Sequence, residues 1–77
     1  MRRSRRPQPA LGKVIRLLRE QRDMTQEVLA ESANISVRSL SQLEAGNANP
    51  TWATVRDIAA ALGVSIGELA KLSEKHE

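Results

Sequence analysis

Two short helices joined by a tight turn are predicted in the middle of the chain, between Thr25 and Glu44. Thr25 and Ser36 each stand directly before a helical segment, where a hydroxyl oxygen accepts a hydrogen bond from an unpaired amide of the first turn. Asn34 lies between the two segments and tolerates the left-handed backbone conformation of a tight turn. The sequence therefore predicts a helix-turn-helix arrangement.

The size and composition of the chain restrict what can surround these two helices. A chain of 77 residues has room for one core and buries only about 60% of the surface that its unfolded form exposes. With one Trp and no Phe or Tyr, this core is aliphatic, which favours an all-α fold of small packed helices. Cys is absent, which excludes disulfides, thiolate metal ligands and cysteine nucleophiles. We expect no cofactor and no metal.

The positive charge is concentrated at the start of the chain. Residues 1–9 read as a flexible, disordered arm whose basic side chains are Arg2, Arg3, Arg5 and Arg6. The rest of the chain contains eight basic and nine acidic residues. The net charge of +3 therefore does not indicate a basic face on the folded part. No apolar run of about 18 residues follows the arm. We expect no membrane association and a cytoplasmic protein.

Hydrophobic periodicity predicts three further helices. A first helix begins at Ala10 and ends near Asp23, with one apolar stripe formed by Leu11, Val14, Ile15 and Leu18. Gly46 and Pro50 mark a loop after the third helix. A fourth helix follows Thr51 and ends at Gly63, and a capping box of Ser65 and Glu68 opens a fifth. We predict a domain over residues 10–72 and a frayed polar tail over residues 73–77, and we expect Met24 and Ile35 to plug the core from the connections.

The third helix, residues 36–45, carries side chains of the types that read DNA bases. At about 100° per residue, Leu40 and Leu43 point to the core, and the opposite face presents Arg38, Ser41 and Gln42. Arg pairs with guanine and Gln with adenine in the major groove. Val37, at the edge of this face, either touches a thymine methyl group or shields the core. Taken alone, the face also fits an ordinary solvated helix surface.

The sequence resembles the lambda-repressor-like, Cro/C1-type (XRE) family of helix-turn-helix domains, which are compact five-helix DNA-binding domains. The resemblance covers residues 10–72. It is carried by Leu11-Gly12, Ile15-Arg16-Leu18-Arg19, Thr25-Gln26-Glu27, Leu29-Ala30, Ile35-Ser36, Leu40-Ser41-Gln42-Leu43-Glu44, Gly46, Asn49-Pro50 and Ala60-Leu62-Gly63-Val64-Ser65.

The resemblance implies roles for individual side chains. Bases are read by Val37, Arg38, Ser41 and Gln42. Gln26 binds a DNA phosphate, aided by the amides at the start of its helix, and further phosphate contacts are expected from Thr25, Ser36, Ser39, Asn47 and Asn49. Arg19 and Glu44 form a shielded structural ion pair; the alternative is two independent surface charges. Asn47 and Ala48 stand where the family often has basic residues, which lowers the expected phosphate affinity. The Arg-rich arm either compensates by contacting DNA or is a solubilising tail.

These features lead to one preferred function and one alternative. The preferred function is a sequence-specific, repressor-like transcriptional regulator that binds double-stranded DNA as a homodimer on a palindromic operator. Dimerisation would use Ile66, Leu69 and Leu72. The alternative is a protein-interaction module, such as a small antitoxin that binds a protein partner. We do not expect an enzyme, because His76 lies in the predicted tail and the carboxylates are scattered over solvated helix faces.

Overall fold

A computed structural model describes residues 8–76 and shows five helices without a strand in that range. The helices are α1 (Pro9–Gln21), α2 (Gln26–Ser32), α3 (Val37–Glu44), α4 (Trp52–Leu62) and α5 (Ile66–Lys75). The predicted five-helix, all-α fold is confirmed. The four arginines of the predicted arm lie outside the described residues. Within the described range, no helix is long and apolar enough to cross a membrane.

Hydroxyl side chains begin four of the helices, as the sequence predicts. Thr25 Oγ1 accepts a hydrogen bond from the amide of Val28, and Ser36 Oγ accepts one from the amide of Ser39. Thr51 caps α4 in the same way, and Ser65 forms the predicted capping box at the start of α5. These bonds satisfy amides that would otherwise have no partner in the first turn. Local side-chain chemistry therefore sets where the helices begin.

The first four helices end in one recurrent backbone motif. After α2, the amide of Asn34 donates to Glu31 and the amide of Ile35 to Ala30, with Asn34 in the left-handed conformation at φ 59°. The same pair of bonds, a Schellman motif, ends α1, α3 and α4 at Asp23, Gly46 and Gly63 respectively. After α1, α2 and α4, the residue that follows the left-handed position is apolar and turns inward. For this reason Met24, Ile35 and Val64 all pack against the core.

The core is aliphatic and lies where the five helices meet. α1 packs mainly against α3 and α5, and α2 packs against α3 and α4. The core consists of Val14, Ile15, Leu18, Leu29, Ala30, Ala33, Leu40, Leu43, Ile58, Ala59, Leu62 and Leu69. Every helix contributes to it, so each one is positioned by burial of its apolar face.

α1 and α3 approach each other closely at Gly12. A Cβ atom at this position would collide with the backbone carbonyl of Leu43 in α3. A second link joins α1 to α4, because the Arg22 guanidinium donates to the carbonyl oxygens of Leu62 and Leu18 at 2.7 and 3.1 Å. These contacts hold α3 and α4 in place against α1.

The two ends of the domain differ from the sequence prediction. α5 continues through Lys75, whereas we expected a frayed tail from residue 73; Ser73 Oγ donates to the carbonyl oxygen of Leu69 at 2.8 Å and remains within the helix. α1 begins at Pro9, inside the predicted arm, because proline suits the first helical position. The amide of Gln8 donates to the carbonyl oxygen of Ala48 at 3.1 Å. The start of α1 is thereby tied to the loop after α3.

Candidate nucleic-acid interface

The outer face of α3 is polar and exposed. Leu40 and Leu43 are buried, and this places Arg38, Ser41 and Gln42 on the solvent side of the helix. Val37, at the start of α3, is 39% exposed. The four predicted base-reading residues therefore share one accessible surface. Its guanidinium, hydroxyl and amide groups supply both hydrogen-bond donors and acceptors.

The two serine hydroxyl groups at the start of α3 are joined by a hydrogen bond. Ser36 Oγ accepts from the Ser39 amide and donates to Ser39 Oγ at 2.9 Å. This arrangement leaves the Ser39 proton free to donate outward, as a phosphate contact requires. Thr25 is likewise exposed; its oxygen accepts from the amide of Val28, which leaves its own proton to donate. Thr25 and Ser39 can therefore both donate to an external acceptor.

A shallow groove runs between α3 and the loop that leads to α4. Arg38, Ser39 and Gln42 line one side of it, and Asn49 and Thr54 line the other. The structure thus brings Asn49 next to two of the predicted base-reading residues. Asn47 is exposed but does not line this groove. Thr54 was not predicted as a site residue. Its sequence neighbours indicate only that it lies in the first turn of α4, not that this turn lies close to α3.

Arg19 and Glu44 form an ion pair that is largely shielded from solvent. The Arg19 Nε and Nη2 atoms lie 2.7 and 3.0 Å from the two carboxylate oxygens, and the side chains are 12% and 4% exposed. Arg19 Nη1 also donates to the carbonyl oxygen of Met24 at 2.7 Å. The hydrogen bond to Glu44 is the main cause that raises the pKa of Arg19. The pair ties α1, the α1–α2 connection and α3 together.

Gln26 belongs to the same network. Its Nε2 atom donates to Glu44 Oε1 at 3.0 Å, so the predicted phosphate contact is held by the structural ion pair. The sequence indicates both features separately but not the bond between them, which joins residues far apart in the chain. One N–H of the Gln26 amide remains for an external acceptor.

A second depression lies on the other side of α3. It is lined by Arg16 of α1, Gln26 of α2 and Ser41 of α3, together with the side chains of Arg19, Glu20 and Glu44. Arg16 is 62% exposed, and its Nε lies 3.2 Å from Glu20 Oε2. We had not predicted a role for Arg16. Helical periodicity identifies it as a surface residue but does not show which neighbouring helix it faces.

An apolar groove lies apart from α3, between α1, α4 and α5. Leu11, Trp52, Val55 and Ile66 line it, and Trp52 is 66% exposed. Leu69, which we expected to contact a second subunit, is fully buried in the core, because its position on α5 turns it toward α1 and α4. Ile66 and Leu72 are half-buried and pack against the core.

The fold and the polar face of α3 define a helix-turn-helix domain. The chain belongs to the family described as the helix-turn-helix domain, whose model matches residues 10–72. An uncharacterised HTH-type transcriptional regulator of Bacillus subtilis (strain 168), YazB, is 41% identical over 59 residues, or 77% of this chain and 86% of YazB. The immunity repressor protein of Bacillus phage phi105 is 36% identical over 59 residues. That match covers 77% of this chain but 41% of the repressor.

Solved structures show the same architecture. The clp gene regulator ClgR from Corynebacterium glutamicum superposes with a TM-score of 0.85 at 28% identity, covering 88% of this chain and 72% of that one. The restriction-modification controller protein C.AhdI from Aeromonas hydrophila superposes with a TM-score of 0.77 at 26% identity, covering 79% and 92%. The predicted family and the predicted class of protein, a helix-turn-helix transcriptional regulator, are confirmed.

Proposed function

We propose that this regulator is a repressor-like protein that reads an operator by placing α3 in the major groove of double-stranded DNA. The observation that carries the proposal is the division of α3 into two faces. Leu40 and Leu43 are 0% and 2% exposed, whereas Arg38, Ser41 and Gln42 are exposed. Each good bidentate pair of such side chains with a base contributes about 1–3 kcal/mol of discrimination.

Contacts with the DNA phosphate backbone on both sides of α3 would fix the position of this helix along the duplex. Gln26 presents a hydrogen-bond donor on one side, and Ser39 and Asn49 line the groove on the other. Such contacts position a protein on DNA without selecting a sequence. Thr25, Ser36 and Asn47 complete the proposed phosphate-binding set.

The N-terminal arginines are proposed to add charge to this surface. Gln8 is bonded to Ala48, and Ala48 lines the groove beside Arg38. The chain therefore enters α1 next to the proposed DNA face. We propose that Arg2, Arg3, Arg5 and Arg6 contact the neighbouring phosphates or the minor groove.

We propose that two copies associate through the apolar groove that contains Trp52. An exposed Trp beside Val55 and Ile66 is the kind of anchor that dominates protein interfaces. To bind two half-sites one helical turn of DNA apart, such a two-fold dimer would have to hold its two α3 helices about 34 Å apart, and its operator would be palindromic. Leu69 also lines this groove, although it is buried in the core, and Leu72 does not line it.

The same groove supports a second candidate, a module that binds a protein partner such as a toxin. In that case Trp52 would anchor the partner, and DNA binding would be weak and controlled by salt alone. We assign no enzymatic role in either case. His76 is exposed at the end of α5, and Glu27 and Glu31 are exposed on a different helix, α2. We place the activity in the cytoplasm, with the DNA.

Selection of binding sites from a randomised duplex library at physiological salt tests the proposal. We expect enrichment of an inverted repeat. The double variant Arg38→Ala, Gln42→Ala should keep its helical circular dichroism spectrum and lose the preference for that repeat. Without enrichment by the wild-type protein, the protein-partner function would replace the DNA-reading one.

A further inference from the structure

We propose that Arg16 is an additional DNA-phosphate ligand, which Glu20 holds in the free protein and releases when the duplex is bound. This inference rests on the proposed DNA-binding function and adds a helix, α1, to the contact surface. Its basis is the depression that Arg16 shares with Gln26 and Ser41. Gln26 is the proposed phosphate contact and Ser41 a proposed base contact. A duplex seated on these two residues also lies against Arg16.

Two arginines line the depression, and Arg16 is the one whose side chain can turn from its carboxylate partner to a DNA phosphate. Arg19 is also at its edge, but it is 12% exposed and makes two hydrogen bonds to Glu44 and one to Met24. Arg16 is 62% exposed and makes one side-chain hydrogen bond, to Glu20 at 3.2 Å. An exposed pair of this kind is weak. A phosphate can therefore displace Glu20 from Arg16 while the Arg19 pair stays intact.

Release of Arg16 does not leave Glu20 without a neighbouring cation. Glu20 Oε2 lies 3.2 Å from Arg16 Nε and 4.0 Å from Arg19 Nη2. When Arg16 turns to a phosphate, Glu20 keeps the attraction of Arg19. The planar guanidinium suits a phosphate particularly well, because it can donate two parallel hydrogen bonds to two oxygens. Glu20 thus acts as an internal counterion that competes with the DNA backbone.

The chain contains a matched control pair. Arg56 of α4 is 59% exposed and lies 3.8 Å from Asp57, which is 49% exposed, as is Glu20. Arg56 and Asp57 line neither the groove beside Arg38 nor the depression beside Arg16. Replacing either arginine removes one charge from an exposed pair. The two replacements differ in their position relative to Gln26 and Ser41.

The test compares Arg16→Ala with Arg56→Ala on two fluorescent duplexes, one carrying the selected repeat and one of random sequence. Affinity is measured over a series of KCl concentrations, and circular dichroism verifies that both variants fold. For Arg16→Ala we expect weaker binding by the same factor on both duplexes and a log–log salt slope reduced by about 0.9. Arg56→Ala should leave the slope unchanged.

A second pair of variants examines the competition directly. Glu20→Gln should tighten binding to both duplexes in the wild-type background, because Arg16 is no longer occupied. In the Arg16→Ala background, Glu20→Gln should have no larger effect than Asp57→Asn, which changes the net charge equally. Equal effects of Glu20→Gln in both backgrounds would reject Glu20 as a competitor.

The outcomes separate this inference from the function on which it rests. If the wild-type protein binds the selected repeat and Arg16→Ala has the slope of Arg56→Ala, Arg16 is not a ligand and the proposed function stands. If the wild-type protein binds neither duplex, both proposals are rejected. A smaller slope for Arg16→Ala alone, together with the background-dependent effect of Glu20→Gln, supports the assignment.

Discussion

The side chain of Gln26 is bonded to that of Glu44 across the junction of α2 and α3, with Nε2 3.0 Å from Oε1. A carboxylate only accepts hydrogen bonds, so the Gln26 amide has to turn its NH2 group toward Glu44. The orientation of the amide is therefore fixed before any ligand arrives. Pre-orientation of this kind lowers the entropic cost of a contact.

Replacement of Gln26 by Ala tests this backbone contact. We expect a loss of about 1.5–3 kcal/mol of binding free energy, as for a hydrogen bond to a charged group, and of equal size on selected and random duplexes. Because Gln is neutral, the salt slope should not change. Gln21→Ala, at the exposed end of α1, is the control. A change in base preference would instead make Gln26 a base contact.

Replacement of Glu44 by Ala should weaken the fold itself. It leaves the shielded Arg19 guanidinium without its carboxylate, and breaking such a pair costs about 3–5 kcal/mol. Urea unfolding followed by circular dichroism measures this loss of free energy of unfolding. Glu74→Ala, on the exposed side of α5, should cost less than about 0.5 kcal/mol. Similar values for the two variants would show that the pair contributes little.

Substitution of the helical glycines by Ala should have opposite effects. Gly12→Ala places a methyl group against the Leu43 carbonyl, and we expect a loss of about 1–3 kcal/mol from overpacking. At Gly67 the nearest atom to an added Cβ is Ser65 Oγ at 3.8 Å, so Gly67→Ala should stabilise the domain by about 0.5 kcal/mol. Thermal unfolding of both variants gives the comparison. A stable Gly12→Ala protein would contradict the close approach of α1 and α3.

Trp52 gives a direct signal for the proposed dimer, because it is the one Trp in the chain. On dilution of the wild-type protein we expect its fluorescence emission to shift to longer wavelength as the groove separates from its partner. Trp52→Ala should sediment as a monomer at concentrations where the wild type is a dimer, and Arg56→Ala should behave as the wild type. A monomeric wild-type protein would favour the groove as a site for another protein.

Removal of residues 1–7 should flatten the salt dependence of DNA binding. Each arginine that contacts a phosphate contributes about 0.9 to the log–log slope, and the segment contains four. A full-length variant with Gln at positions 2, 3, 5 and 6 separates the effect of charge from that of chain length. Slopes equal to that of the wild type in both proteins would identify the arm as a solubilising tail.

The sequence predicts the local features of this fold well. The caps at Thr25 and Ser36, the left-handed residue Asn34 and the end of the third helix before Gly46 are all present, because their signals depend on a few neighbouring residues. Asp23 also adopts the left-handed conformation at φ 54° and was missed, since Asp is compatible with many conformations. The division of α3 into a core face and an outer face also follows from periodicity alone.

Features that depend on distant residues could not be predicted in this way. Periodicity does not show that Gly12 meets the Leu43 carbonyl or that Arg22 binds the Leu62 carbonyl. Periodicity also does not distinguish an interface residue from a core residue on α5, and packing against other helices buries Leu69 completely. The depression at Arg16 is of the same kind, because three helices have to be placed before it exists.

The separation of the two faces of α3 has a consequence for evolution. Leu40 and Leu43 hold the helix to the core, while Arg38, Ser41 and Gln42 make no contribution to that packing. If α3 reads the operator as proposed, mutations on its outer face change the preferred operator at little cost in folding. Paralogues could diverge in target while sharing one scaffold, and the three outer side chains could be exchanged as a unit to redirect this domain to a new site.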